Sequence, residues 1–142
     1  MESVIAEKIG MTQIFDESGK LLGVTVVEAV GDQKVDIFKV GDVVKISGRS
    51  IGKGFQGTIK RFHDHRGPMS HGSKSHRIPG SIGSGTTPGR VWKGRNMPGR
   101  MGGGRVTVKN IVVTQVIAEK KLLLLHGPVP GKRGNQVLIG KV

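Results

Sequence analysis

The chain has 142 residues, a formal net charge of +13, a pI near 10.7 and no cysteine. This length is typical of about one domain with a modest core, and the lack of cysteine excludes disulfides, thiolate zinc sites and cysteine nucleophiles. The charge points to a polyanionic partner, either nucleic acid or an anionic membrane surface. The longest apolar run, Leu122 to Leu125, is far shorter than a spanning helix of roughly 20 residues, and no basic amphipathic helix is apparent. We therefore expect no membrane partner.

Seven short segments rich in β-branched or other aliphatic residues predict strands. In chain order they are Ile9–Phe15, Leu21–Val30, Val43–Ser47, Phe55–Arg61, Val106–Ala118, Leu122–His126 and Val137–Ile139. The acidic and glycine turn Asp16–Lys20 makes the first two a hairpin, and Glu119–Lys121 makes another between the fifth and the sixth. With no convincing 3.6-residue periodicity, the pattern favours an all-β fold, either a small sandwich or a closed or partly open β-barrel. Barrel closure is favoured because it removes sheet edges.

The N-terminus runs from Met1 almost directly into a strand-like segment that begins at Val4. It shows neither an apolar signal core nor an arginine- and serine-rich transit segment. We therefore expect the protein to stay in the cytoplasm, where it is made.

Charge is distributed unevenly along the chain. Residues 1–42 hold eight acidic and four basic side chains, whereas residues 43–142 hold nineteen Lys or Arg and only Asp64 and Glu119 as acids. A surface that only needs to be soluble usually mixes both signs. This acid depletion therefore indicates a polyanion-binding region rather than an ordinary basic surface.

The middle of the chain, Gly48–Gly104, contains fifteen glycines, four prolines and few consecutive apolar residues. Such a segment lacks the side chains for a core of its own, and long irregular segments in small domains are usually functional or disordered. We predict a single domain of residues 1–142 in which residues 62–104 form an extended basic loop between barrel strands, ordered by its partner.

Other chemistry is weakly supported. His63, His65, His71 and His76 lack metal-ligand spacing, so we expect no metal site, and hydrogen bonding to phosphate or 2′-hydroxyl groups is favoured for them. The glycine run at 80–90 lacks the Gly-Lys-Ser/Thr ending of a nucleotide loop. Serines beside histidines in sequence are not a catalytic triad. We therefore expect no enzyme activity, no cofactor and no small-molecule substrate.

Trp92 is the single tryptophan and is followed by Lys93 in the basic loop. Two interpretations remain open. Its ring either packs against the barrel or stacks on a nucleobase or ribose.

Several motifs resemble the universal family of large-subunit ribosomal protein three, in its bacterial form. The matching segments are Lys8–Asp16, Val24–Glu28, Ser50–Arg61, Ser70–Gly83, Thr87–Gly94, Met97–Val108 and Leu122–Gly131. They span most of the chain and include several independent motifs, so a chance match is very improbable.

The resemblance implies a β-barrel body of translation-protein type at the subunit surface. It also implies a loop that runs through ribosomal RNA toward the peptidyl transferase centre, with a role early in subunit assembly. On this basis His65–Met101 is the inward extension, and ribosomal RNA and neighbouring ribosomal proteins are the partners. The RNA-binding residues expected from motif and charge are Lys53, Lys60, Arg61, His65, Arg66, His71, Lys74, His76, Arg77, Arg90, Trp92, Lys93, Arg95, Arg100 and Arg105.

One departure from the family pattern concerns the length of the chain. Members normally exceed 200 residues, and here Val30 leads through Gly31–Val40 directly to the Val43 strand, so an insert of roughly sixty residues after the first hairpin is absent. The alternative to a ribosomal role is an isolated or engineered barrel module of this family, self-associating through edges that the missing insert exposes.

Overall fold

The computed structural model describes residues 3–31 and 35–142, and strands dominate it. Its elements are β1 (Ser3–Phe15), β2 (Leu21–Ala29), β3 (Val43–Arg49), β4 (Gly54–Gln56), α1 (Thr58–Phe62), β5 (Gly99–Met101), β6 (Arg105–Ile117), β7 (Leu122–His126) and β8 (Gln136–Lys141). A single 3₁₀ turn, Ala118–Lys120, joins β6 to β7. The prediction of an all-β fold is confirmed.

Six strands close into an antiparallel barrel in the order β1-β2-β7-β6-β3-β8. The last and first strands of this order pair from Ser3 opposite Gly140 to Glu7 opposite Gln136. Each barrel strand therefore has two hydrogen-bonded neighbours. The predicted β-barrel is confirmed, and closure removes the free edges on which the self-association alternative depends.

The barrel core follows the two-residue period of a strand. In β3 the side chains of Val44 and Ile46 are fully buried, as are those of Leu123 and Leu125 in β7. Burial of each such side chain contributes about 1.5–3 kcal/mol. Thr25 is the polar exception, and its hydroxyl donates to the carbonyl oxygen of Gly127 at 2.6 Å.

Two lysine side chains link barrel strands to adjoining loop residues. The ammonium group of Lys8 donates to the carbonyl oxygens of Val129 at 2.8 Å and Gly131 at 3.0 Å. The ammonium group of Lys141 donates to the carboxylate of Asp42 at 2.7 Å. That hydrogen bond, together with one from the Lys39 backbone, holds the pKa of Asp42 below its ordinary value. Since the folded pKa is lowered, the stabilisation is lost as the pH falls through it.

The chain divides into two units, residues 1–51 with 103–142 and residues 52–102. The barrel belongs to the first unit and β4, α1 and β5 to the second. The predicted organisation, one domain of residues 1–142 with a loop at 62–104, stays a prediction.

The prediction of a strand over Phe55–Arg61 is wrong from Gly57 onward. The strand ends at Gln56, and Thr58–Phe62 form a five-residue helix after Gly57. Phe, Thr and Ile favour strands, but a helix of little more than one turn has no periodicity that a sequence can show.

Candidate nucleic-acid interface

A small two-stranded sheet brings the start and end of the Gly52–Gly102 unit together. β4 pairs with β5 in antiparallel register, with Gly54 opposite Met101 and Gln56 opposite Gly99. The backbone N–H of Lys53 donates to the carbonyl oxygen of Met101 at 2.9 Å, which extends the pairing by one residue. The two ends of the long irregular segment between β4 and β5 therefore lie next to each other.

Arg61, at the end of α1, holds this frame. Its guanidinium donates to the carbonyl oxygen of Met97 at 2.7 Å and lies 4.9 Å from the centroid of the Phe62 ring. A Cβ atom at Gly99 would come within 2.6 Å of the same guanidinium. The close approach of Arg61 therefore depends on glycine at 99, and part of the hydrogen-bonding capacity of this arginine serves the fold.

A second hydrogen-bonded turn closes residues 67–76. The N–H of Gly67 donates to the carbonyl oxygen of His76 at 2.8 Å, and the imidazole Nδ1 of His76 is 2.9 Å from the carbonyl oxygen of Pro68. A Cβ atom at Gly67 would lie 2.2 Å from the Ser75 carbonyl oxygen. Glycine is thus needed here for space and not for backbone torsion.

We expect Gly67→Ala to open this turn, because the added methyl overlaps a backbone oxygen that cannot move away cheaply. Chemical shifts in a two-dimensional NMR spectrum should change throughout residues 67–76. Gly85→Ala is the matched control, since a Cβ atom there meets nothing within 4 Å. Equal and small shifts in both variants would contradict the assigned role of Gly67.

A third contact orders the later part of the unit. The guanidinium of Arg95 donates to the carbonyl oxygen of Ser81, fourteen residues earlier in the chain. The guanidinium of Arg90 lies 5.7 Å from the ring centroid of Trp92, within the range of a cation–π contact. The Trp92 side chain is 61% exposed. This exposure leaves the ring available for stacking on a base or ribose.

A cavity within the same unit gathers polar groups. Its lining includes Thr58, Asp64, His65, Arg95 and Asn96. The Asn96 amide is 3.4 Å from the Asp64 carboxylate, and the buried Thr58 hydroxyl has no hydrogen-bond partner among the described residues. The acid of the unit is thus contacted by an amide and not by a cation.

Fourteen of the fifteen predicted RNA-binding residues lie in the Gly52–Gly102 unit, and Arg105 lies in β6 of the barrel. Within the unit, Arg61 and His76 are half-buried and hold backbone carbonyls, as described above. The other members are exposed: Lys53, Lys60, His65, Arg66, His71, Lys74, Arg77, Arg90, Trp92, Lys93, Arg95 and Arg100.

The unit carries ten Lys or Arg and one acid, Asp64. All its residues are described, and no ion pair forms among them. Exposed cations without acidic partners give a strongly positive surface. The glycines among them let an anion approach the backbone amides closely.

Residues 3–31 and 35–142 show no feature of two other site classes. No group of three His, Asp or Glu side chains is arranged to hold a metal ion. No helix in these ranges has the length and apolar character needed to cross a membrane.

Comparison with known proteins matches residues 24–122 to the model of the ribosomal protein L3 family. The chain belongs to the ribosomal protein L3 family. The match includes the entire Gly52–Gly102 unit and parts of the barrel. The resemblance seen in the sequence motifs is thereby confirmed.

Curated members of the L3 family are similar over most of the chain. The large ribosomal subunit protein uL3c of Porphyra purpurea is 53% identical over 128 residues, 86% of this chain and 62% of the relative. The uL3 protein of a Nostoc species is 59% identical over 107 residues, 75% of this chain and 51% of the relative. The uL3c protein of Arabidopsis thaliana is 56% identical over 104 residues, 73% of this chain and 38% of the relative. The chain thus spans about half the length of its relatives, consistent with the predicted shortening.

Sequence analysis missed Gly67 and Gly99 as positions that shape the interface. The segment contains many other glycines, and neither Gly67 nor Gly99 has a positive φ. Their roles come from contacts with Ser75 and Arg61 that only the folded chain reveals.

Proposed function

We propose that this chain is a structural constituent of the large ribosomal subunit that binds ribosomal RNA through its Gly52–Gly102 unit. Its setting is the ribosome of the cytoplasm or of a plastid, since relatives of both the uL3 and the uL3c kind are similar to it. Its partners are ribosomal RNA and neighbouring ribosomal proteins. Its role is binding and assembly, not catalysis.

The observation that carries this proposal is the density of exposed cations in a unit with one acid. Lys74, Arg77 and Lys93 are exposed and make no hydrogen bond or ion pair with any other described residue. Their charges are therefore available to phosphates. Neutralising phosphates lets RNA helices that repel one another pack closely, and the released counterions favour binding.

The finer part of the proposal concerns where this segment lies. Following the family resemblance, residues 65–101 extend inward through ribosomal RNA toward the peptidyl transferase centre and act early in assembly of the subunit. The turn at 67–76 and the Arg95 contact to Ser81 give the extension a defined shape, and its inward direction is taken from the family resemblance.

Sedimentation tests the ribosomal role. We expect an epitope-tagged chain, expressed in a cyanobacterium, to migrate with large ribosomal subunits in a sucrose gradient and to stay with them after a moderate-salt wash. Recovery of the chain as a discrete small oligomer would support the isolated barrel module instead and would contradict this proposal.

A further inference from the structure

The outer face of the barrel carries a second basic feature, outside the Gly52–Gly102 unit. It lies on β3 and β6, where residues alternate between the core and the outside. Val44 and Ile46 are buried and Val108 packs against the core, so the residues between and beside them face outward. We call these outward residues the basic ladder: Lys45, Ser47, Arg49, Arg105, Thr107 and Lys109.

The register of β3 and β6 places like residues opposite each other. Arg49 pairs with Arg105, and Ser47 pairs with Thr107, with their hydroxyl oxygens 2.7 Å apart. At the other end the register shifts between Val44 and Ile46, and Lys45 and Lys109 line one surface cavity there. Like charges directly opposite each other destabilise a sheet. This arrangement therefore works against the stability of the barrel.

The strands that carry and flank the ladder supply no acid to offset the repulsion between Arg49 and Arg105. β3, β6 and β8 contain no Asp or Glu. The charge of Lys141, at the end of β8, is instead balanced by an acid, because the carboxylate of Asp42 lies 2.7 Å from its ammonium group. In contrast, the side chains of Arg105 and Lys109 make no hydrogen bond or ion pair with a residue of 3–31 or 35–142, and the guanidinium of Arg49 donates to the neutral carbonyl oxygen of Gly103 at 2.8 Å.

The shape of this face suits a sugar-phosphate backbone. Lys45 and Arg49 are four residues apart, about 13 Å at 3.3 Å per residue, and neighbouring strands are about 4.8 Å apart. Two cationic ends thus flank a hydroxyl pair. Leu138 pairs with Ser47 and Ile5 pairs with Leu138, and both apolar side chains are part-exposed next to the hydroxyls. Helical RNA presents phosphates, ribose carbons and 2′-hydroxyls on one open surface.

We propose that the basic ladder binds the sugar-phosphate backbone of RNA as a second contact, carried by the barrel. The arginine and lysine ends bind phosphates, and Ser47 and Thr107 hydrogen-bond to phosphate or 2′-hydroxyl oxygens. This inference rests on the proposed function, because the partner is the same class of molecule. The ladder uses residues other than those of the Gly52–Gly102 unit, and Arg105 is the one member of the ladder for which the sequence predicted RNA binding.

Binding of a fluorescein-labelled RNA hairpin to the full chain, followed by anisotropy over a range of KCl concentrations, tests the ladder. The variant is Arg49→Gln, Arg105→Gln and Lys109→Gln together. Because Arg49 also donates to the Gly103 carbonyl oxygen, circular dichroism at high salt, where the repulsion is screened, must show that the variant unfolds like the wild type. Each phosphate contact contributes about 0.7–0.9 to the slope of log affinity against log salt. We therefore expect the slope to fall by about 2 to 3 and the affinity to fall with it.

The matched control removes the same charge elsewhere on the barrel unit, by Lys120→Gln, Lys132→Gln and Arg133→Gln. These residues are exposed and lie outside the ladder. The control should retain the wild-type slope. An equal loss in both variants would indicate a general charge effect and overturn the proposal.

Two other outcomes would overturn the proposals. A ladder variant with the wild-type slope overturns the inference, and if it also fails to enter large subunits, the face binds a protein instead. Absence of any RNA binding by the wild-type chain overturns the proposed function itself.

Arg105→Gln should raise Tm at low salt, because it reduces the repulsion between Arg49 and Arg105, and should leave Tm unchanged at high salt, where that repulsion is screened. A lower Tm of this variant at low salt would contradict the role assigned to the Arg49–Arg105 pair.

Discussion

Replacing Lys74, Arg77 and Lys93 together by glutamine is expected to lower the slope of log RNA affinity against log salt by about 2 to 3, because each lost phosphate contact removes about 0.7–0.9. If the wild-type chain neutralises about 6–10 phosphates, its affinity falls by roughly 10³–10⁵ between 50 and 200 mM salt. The triple variant should be much less salt-sensitive. The labelled RNA hairpin used for the ladder provides the measurement.

These three residues are suitable because their side chains do not hold the structure. Each is exposed, and none makes a hydrogen bond or an ion pair within the described part of the chain. Arg61 and Arg95 would be poor choices, since their guanidinium groups donate to the carbonyl oxygens of Met97 and Ser81. Loss of RNA binding after their substitution could come from a disordered backbone.

The variant at Lys120, Lys132 and Arg133 again controls for net charge, since it also removes three cations. Circular dichroism should show the same thermal unfolding for the loop triple variant as for the wild type. A salt slope that equals the wild-type slope would show that the Gly52–Gly102 unit does not bind RNA through these side chains, and would remove the electrostatic basis of the proposed function.

The barrel could be predicted because its strands are encoded locally. Asp16–Lys20 and Glu119–Lys121 separate aliphatic runs, and the structure pairs β1 with β2 and β6 with β7 at these points. Closure of the barrel needs the pairing of β1 with β8, whose paired residues are 129 to 137 positions apart. Sequence favoured closure only through the general cost of free edges.

The frame of the Gly52–Gly102 unit could not be predicted from local pattern. β5 is the tripeptide Gly-Arg-Met, which has no β-branched residue, and it is a strand because it pairs with β4 some forty-five residues earlier. Helix α1 is too short for a periodic signal. The expected cations themselves followed from composition, since acid depletion is visible without any structure.

The basic ladder of the barrel likewise could not be predicted from local sequence pattern. Lys45, Arg49 and Lys109 are ordinary basic residues of alternating strands when read alone. Their significance comes from the register that sets Arg49 opposite Arg105 and from a shift within β3. A one-residue change in that register would turn the side chains to the other face, so no count of charges could have identified the ladder.

Leu123→Ala is expected to lower the free energy of unfolding of the barrel by about 2–5 kcal/mol, the range for removing a leucine side chain from a packed core. Leu123 is fully buried in β7, where it pairs with Val27 of β2 and Val116 of β6. The truncated side chain leaves a cavity between strands that are already fixed on both sides. Because small domains are stable by only about 5–15 kcal/mol, this loss is a large part of the total.

Urea denaturation followed by circular dichroism measures the effect. Leu21→Ala is the matched control, because it removes the same atoms from a side chain on β2 that is 50% exposed. Surface changes of this kind usually alter stability by no more than about 0.5 kcal/mol. Equal denaturation midpoints for the two variants would mean that the barrel interior does not carry the stability of this unit, which its closed hydrogen bonding and buried aliphatic side chains require it to do.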